Sequence, residues 1–197
     1  RTRNGNKNTG VHIFGNTKFK ESIEISPGAI VRLELVNFLC HSNFKMTFHP
    51  FVNVISGQNG SGKSAIEAAI SMALGINAKK TGRGNNIKDV IKFGEDFAII
   101  KLFLHNKGSE RITEPDYGDE IVIERKLTRN NKNGSSQFKV LTANLKKVGA
   151  GVKAVRQIVD RLNINVDNPC VVLKQSTAKE FLNSTKSADK FKFFMQA

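Results

Sequence analysis

Gly57-Gln58-Asn59-Gly60-Ser61-Gly62-Lys63-Ser64 lies between the apolar run Phe51-Val52-Asn53-Val54-Ile55 and the helix-forming run Ala65-Ile66-Glu67-Ala68-Ala69-Ile70-Ser71-Met72-Ala73-Leu74. The eight residues fit G-x-x-x-x-G-K-[ST], a phosphate loop joining a strand to a helix. Its three glycines let the backbone curl around a β-phosphate with N–H groups pointing inward, and the helix that follows adds its positive end. Lys63 supplies a mobile charge for the β- and γ-phosphates. Ser64 offers the hydroxyl that a hydrated Mg²⁺ accepts. The flanks agree, with β-branched residues before the loop and strong helix formers after it, stopping at Gly75. The stretch predicts a site for a nucleoside triphosphate, ATP with Mg²⁺. Gly57, Gln58, Asn59, Gly60, Ser61, Gly62, Lys63, Ser64 and Ala65 are its binding residues, Lys63 its catalytic charge and Ser64 its metal contact.

The 197 residues suffice for one sizeable core, and no composition break marks a second domain. No apolar stretch approaches the roughly 20 residues of a membrane helix, and no signal peptide opens the chain, so a soluble intracellular chain without a membrane partner is expected. Cys40 and Cys170 have no metal-ligand spacing and read as reduced, half-buried thiols. Charge says more: 31 Lys and Arg against 17 Asp and Glu leave a net +14. An excess of that size attracts polyanions, and nucleic acid is the natural one.

Residues 1–28 are rich in Asn, Gly, Lys and Thr, and read as a basic flexible arm or an added edge strand. From Ala29 onward the pattern is that of a folded lobe. Ile30 to Phe38 alternates, with Val31, Leu33 and Leu35 on one side, as a half-buried strand does. Ile87 to Phe93 reads as a short helix and Phe97 to Leu104 as a strand. Glu120 to Thr128 and Gln137 to Leu141 form the arms of a hairpin around Asn130-Asn131-Lys132-Asn133-Gly134. Val152, Val155, Val159 and Leu162 recur at helical spacing, and Lys190 to Met195 begins another helix. The expected class is α/β, with mixed and antiparallel sheet packed around the phosphate-loop helix and no simple doubly wound sheet.

A working phosphate-loop ATPase also needs an acidic residue at the end of an apolar strand, and usually a glutamate to orient water. No run of four apolar residues here ends in Asp-Glu. Ile121-Val122-Ile123-Glu124 comes nearest, but it continues into the basic hairpin, and Glu124 reads as a solvated strand residue. Gly134-Ser135-Ser136-Gln137 faintly matches an ABC signature but falls in a hairpin turn with no helix after it. Asn131-Lys132-Asn133 is followed by Gly134 rather than by x-Asp, which disfavours a GTPase. The economical inference is half of a nucleotide site, completed from elsewhere in sequence.

Several segments resemble one family. Leu35-Val36-Asn37-Phe38-Leu39-Cys40-His41-Ser42, the phosphate loop, Thr81-Gly82-Arg83-Gly84-Asn85-Asn86-Ile87-Lys88 and Asn163-Ile164-Asn165-Val166-Asp167-Asn168-Pro169 through Leu173-Lys174-Gln175 look like the N-terminal half of an ATPase head of the structural maintenance of chromosomes (SMC) family. Val166-Asp167-Asn168-Pro169 and Lys190-Phe191-Lys192-Phe193-Phe194-Met195 are most similar to its sixth branch. The resemblance spans about residues 30 to 197. It implies an ABC-type head: residues 29–186 as the N-terminal lobe and 187–197 as the start of the helix leading to a coiled coil. The C-terminal lobe of the same parent chain would bring the missing acidic strand and signature. The implied partners are the fifth SMC protein as second head, non-SMC subunits and double-stranded DNA, in the nucleus on chromosomes, in DNA repair and recombination.

The same resemblance implies roles for single residues. Gln175 matches the Q-loop position, which reaches Mg²⁺ or the lytic water and would be both catalytic and metal-binding. Arg83 matches the arginine-loop position, and Asn37 and His41 the segment beside the nucleotide. For a duplex, the candidates are Lys79, Lys80, Lys126, Arg129, Lys132, Lys146, Lys147 and Lys153. Few aromatics are interleaved with them, so phosphate contacts with little base readout are expected. The rival readings are another ABC-type DNA repair ATPase, a chromatin scaffold holding ATP without turnover, and a phosphate-loop kinase.

Overall fold

The computed structural model describes residues 12–14, 25–130, 132–166, 168 and 171–173, with 178, 179, 183, 188, 191 and 195. Six strands form one antiparallel sheet: β2 (Ile30–Phe38), β3 (His41–Thr47), β5 (Phe97–His105), β6 (Glu120–Thr128), β7 (Ser135–Thr142) and β8 (Lys147–Ala150), in the order β3-β2-β5-β6-β7-β8. A second, two-stranded sheet pairs β1 (His12–Phe14) with β4 (Val54–Ser56), the strand that feeds the phosphate loop. The first arm thus contributes an edge strand beside the loop; the rest of residues 1–24 lies outside the described residues, as do Cys170 and Gln175. All pairings among the described strands are antiparallel. No helix of the described residues is long and apolar enough to cross a membrane.

One face of the large sheet carries the core. Leu33 and Leu35 of β2, Ile100, Leu102 and Leu104 of β5, and Ile121, Ile123 and Leu127 of β6 are buried there. Against them pack helix α1 (Lys63–Ala73) and, over β7 and β8, helix α2 (Gly151–Arg161). Helix α1 is buried nearly all round, and its alanines let it lie close to the sheet. It ends where the sequence predicts: Gly75 takes φ 105, its N–H bonds to Met72 O at 3.2 Å, and Ile76 N–H reaches Ser71 O at 3.0 Å. Helix α2 closes in the same way, with Asn163 at φ 51 and Ile164 N–H on Val159 O at 2.9 Å.

The opposite face is ionic. Glu34 is bridged by Arg32 at 3.1 Å and Lys45 at 3.3 Å, and Glu124 by Lys101 at 3.3 Å and Lys139 at 3.4 Å. Glu124, expected as a solvated strand residue, keeps only 13% of its side chain exposed beneath these two lysines.

Three further expectations need correcting. Val31 does not share a face with Leu33 and Leu35: pairing slips between Ile30↔Leu104 and Arg32↔Phe103, and this bulge sends Val31 to the far side, against Phe103, Val122 and Leu141. The helix expected over Ile87 to Phe93 is one 3₁₀ turn, Ile87–Val90. It stops because Leu39 N–H takes Val90 O, Lys92 N–H takes Asn37 O, and Ile91 bridges Phe38, so the backbone is drawn into the end of β2. Cys40, expected half-buried, is exposed.

Arg125 is the polar exception on the core face. It alternates with Ile123 and Leu127, is 3% exposed, and donates through Nη1 to Met72 O at 2.7 Å and Ile76 O at 2.8 Å. Burial lowers its pKa to about 10, so it remains a cation at neutral pH. It therefore holds the carbonyl end of α1 with a full charge, where the helix dipole is negative. Replacing Arg125 by Met should cost about 3 kcal/mol of stability in urea unfolding, because two buried carbonyls lose a charged donor. A loss under about 1 kcal/mol would mean that those carbonyls find other partners.

Candidate functional site

The phosphate loop leaves β4 at Ser56 and enters α1 at Lys63. Its curl depends on left-handed backbone at Gly60 (φ 83) and Gly62 (φ 96), which only glycine adopts without strain. At Gly62 space is as restrictive as conformation: a Cβ there would stand 2.5 Å from His41 Nε2 and 2.8 Å from Cys40 Sγ. The β2–β3 turn is thus the wall behind the loop.

Lys63 folds over the loop, and its Nζ donates to Gly57 O at 2.6 Å and Gln58 O at 2.9 Å. Helix α1 begins with no side-chain cap and no acidic residue in its first turn, so its N–H groups and positive end face the loop uncompensated. Ser61 Oγ is buried without a hydrogen-bond partner among the described residues. Donors without acceptors around a glycine cradle fit a phosphate chain, and Ser64 stands at the helix start where a phosphate-bound cation would need oxygen.

In front of the loop lies a cavity of about 1130 Å³. Asn59, Gly60, Gly62, Lys63, Ser64 and Ala65 line one side; Arg83, Lys88, Asp89 and Arg129 line the other. The structure thus brings the loop and Arg83 to one cavity. The Asp89 carboxylate accepts the N–H groups of Asn85 at 2.9 Å and Asn86 at 2.8 Å, which ties down the segment carrying Arg83. Among the described residues no group of three or more His, Cys, Asp and Glu could hold a metal ion.

The other expected residues stand outside the cavity lining. Gly57 and Gln58 lend carbonyls to Lys63. Asn37 takes φ 51 and donates its side-chain amide to Glu95 Oε2 at 3.0 Å. His41 is buried, lies 4.6 Å from the Phe44 ring centroid, and has Nε2 3.4 Å from Gly62 O. Desolvation lowers its pKa below 6.5, so the ring is neutral at physiological pH and its Nε2–H can donate to that carbonyl. Asn37 and His41 hold the cavity's frame.

Of the eight residues expected at a duplex, Lys79, Lys80, Lys126, Lys132, Lys146, Lys147 and Lys153 are exposed. Arg129 is engaged elsewhere: its Nε donates to Glu95 O at 2.6 Å, and its Nη2 to Ile91 O at 3.1 Å and Lys92 O at 3.2 Å. It clamps the segment that forms the cavity's far wall. Sequence reasoning missed that role, and missed Arg125, because a basic residue in a basic hairpin shows no sign of the carbonyls it will meet.

Comparison with known proteins agrees with this geometry. The AAA domain family matches residues 32–196. Structural maintenance of chromosomes protein 6A of Arabidopsis thaliana is 41% identical over 175 residues, covering 88% of this chain and 16% of that protein. The human structural maintenance of chromosomes protein 6 is 38% identical over 171 residues, and that of Saccharomyces cerevisiae 37% over 175, each covered over 15% of its length. The chain therefore spans about a sixth of the curated relatives it matches. A solved chain from work on ATP-driven dimerization and DNA-stimulated activation of SMC ATPases superposes with a TM-score of 0.70 at 23% identity, over 85% of this chain and 98% of that one. With a phosphate loop, an antiparallel lobe around its helix and this sequence kinship, the chain belongs to the AAA domain family and is similar there to the ATPase head of the sixth SMC proteins.

Proposed function

We propose that this chain is the ATP-holding half of an SMC head, whose parent hydrolyses ATP when the head is completed. The observation that carries this is the one-sided cavity. Backbone donors, Lys63, Lys88 and Arg83 surround the place of a triphosphate, while Asp89, the carboxylate in the lining, is committed to the backbone of Asn85 and Asn86. Such a half-site binds and neutralises phosphates but has no free carboxylate among the described residues to hold a Mg²⁺ shell or orient water. Mg²⁺ would sit on Ser64, with Gln175 as its second protein contact. The C-terminal lobe of the parent chain would add the acidic strand, and the fifth SMC protein the facing head. The cycle of head engagement and hydrolysis would drive entrapment of double-stranded DNA in chromosome maintenance and repair, in the nucleus and with non-SMC subunits.

ATP binding and turnover, measured for the chain alone and then with its C-terminal lobe and partner head, test this directly. The chain alone should bind ATP without turnover, and turnover should appear in the assembly. Lys63→Ala should weaken ATP binding at least tenfold, about 1.4 kcal/mol. Gln175→Leu in the assembly should abolish turnover while nucleotide stays bound; an assembly that never turns over even with Gln175 intact would be an ATP-holding scaffold instead.

Duplex binding has its own signature. With seven exposed lysines as phosphate contacts, raising salt from about 50 to about 200 mM should weaken binding by several thousandfold. A flat response would exclude a lysine-based contact.

A further inference from the structure

A second cavity, of about 740 Å³, lies behind the phosphate-loop helix and apart from the nucleotide cavity. Three elements meet there: the end of α1 at Gly75 and Ile76, the β7 edge at Ser136 to Phe138, and the start of α2 at Gly151 and Val152. The edge is open because β8 pairs with β7 only at Lys139 to Leu141.

The charges around this cavity are of one sign. Lys80, Arg125, Lys139, Lys147 and Arg156 line it, and no Asp or Glu does. Lys139 shares Glu124 with Lys101, and no carboxylate lies within ion-pair distance of Arg125, Lys147 or Arg156 among the described residues. Helix α2 opens into the cavity from Ala150 with no side-chain cap and no acidic residue in its first turn. Its positive end is therefore uncompensated.

Arg125 supplies an independent observation. The residue is 3% exposed with its Cζ 4.6 Å from the Phe138 ring centroid; Nη1 and Nη2 are partnered, and Nε, closed to solvent, has no acceptor among the described residues. Its charge faces the carbonyl end of α1 but no carboxylate of the described residues, so an anion drawn into the cavity meets a buried cation at its floor. From this convergence of a buried arginine, two unpaired surface cations and a bare helix N-terminus, we infer that the cavity is a binding site for phosphate groups, separate from the ATP site. Arg125 is its floor, the α2 N–H groups its wall, and Lys147 and Arg156 its rim. The volume exceeds one phosphate, so the ligand is a diphosphate, a phosphate ester or a phosphodiester segment.

Titration with inorganic pyrophosphate, followed by calorimetry at constant ionic strength, tests this. The Lys63→Ala chain is used so that the ATP site contributes little. Pyrophosphate should bind, and Lys147→Gln with Arg156→Gln should weaken it at least tenfold; both residues are exposed, and an unchanged thermal midpoint confirms that the fold survives. No binding to the Lys63→Ala chain, or equal binding with and without the two rim substitutions, overturns the proposal. A short DNA duplex then distinguishes the sources: displacement of pyrophosphate by duplex assigns the site to a phosphodiester backbone, and binding that duplex leaves untouched assigns it to a small phosphate ester.

Discussion

A single guanidinium joins the parts of this lobe that function requires to be joined. Arg125 stands in the third strand from one edge of the sheet and grips the carbonyl end of α1, the helix whose other end is the phosphate loop. Apolar packing of Ile66, Ala69 and Met72 on the sheet fixes how near that helix lies, but such contacts are not directional. Two charged hydrogen bonds are directional, so they set where the helix stops along its axis and thereby hold the loop in place.

The loop itself is supported from behind by a turn rather than by a strand. Asn37 and Leu39 take left-handed backbone near φ 50, which turns β2 into β3 so tightly that His41 and Cys40 press on Gly62. The far wall of the nucleotide cavity is fixed by a comparable device, the Arg129 guanidinium gathering the carbonyls of Ile91, Lys92 and Glu95. Two arginines of the hairpin region thus serve as internal staples, one for each side of the site. Lysine could not replace them readily, because its compact ammonium lacks the planar fork that reaches several carbonyls at once.

On the outer face of the sheet each of two carboxylates is shared by two cations, Glu34 by Arg32 and Lys45 and Glu124 by Lys101 and Lys139, so that face keeps part of the positive excess. Further unpaired positive charge lies at the hairpin, the turn after α1 and the approach to α2, where Lys132, Lys79 and Lys146 stand exposed. A polyanion approaching this lobe would be steered to those loops.

The sequence by itself determined the phosphate loop, the helix after it with its stop at Gly75, the hairpin of β6 and β7, and the amphipathic α2, because each is encoded locally. Glycines mark left-handed positions, and apolar spacing marks the face that must be covered. Other features were illegible for a shared reason. The short strands β3 and β8 exist because a neighbour's backbone needs partners. The bulge at Val31 reverses a face that alternation alone assigns. The 3₁₀ turn at Ile87 ends where Leu39 N–H takes Val90 O and Lys92 N–H is drawn to Asn37 O of β2. The duties of Arg125 and Arg129 likewise arise only when carbonyls far along the chain come within about 3 Å of them. Sequence pattern reports what a segment prefers by itself, whereas a buried hydrogen-bonding group takes the partner that the tertiary fold leaves open to it, since remaining unpaired away from water costs more than any local preference returns.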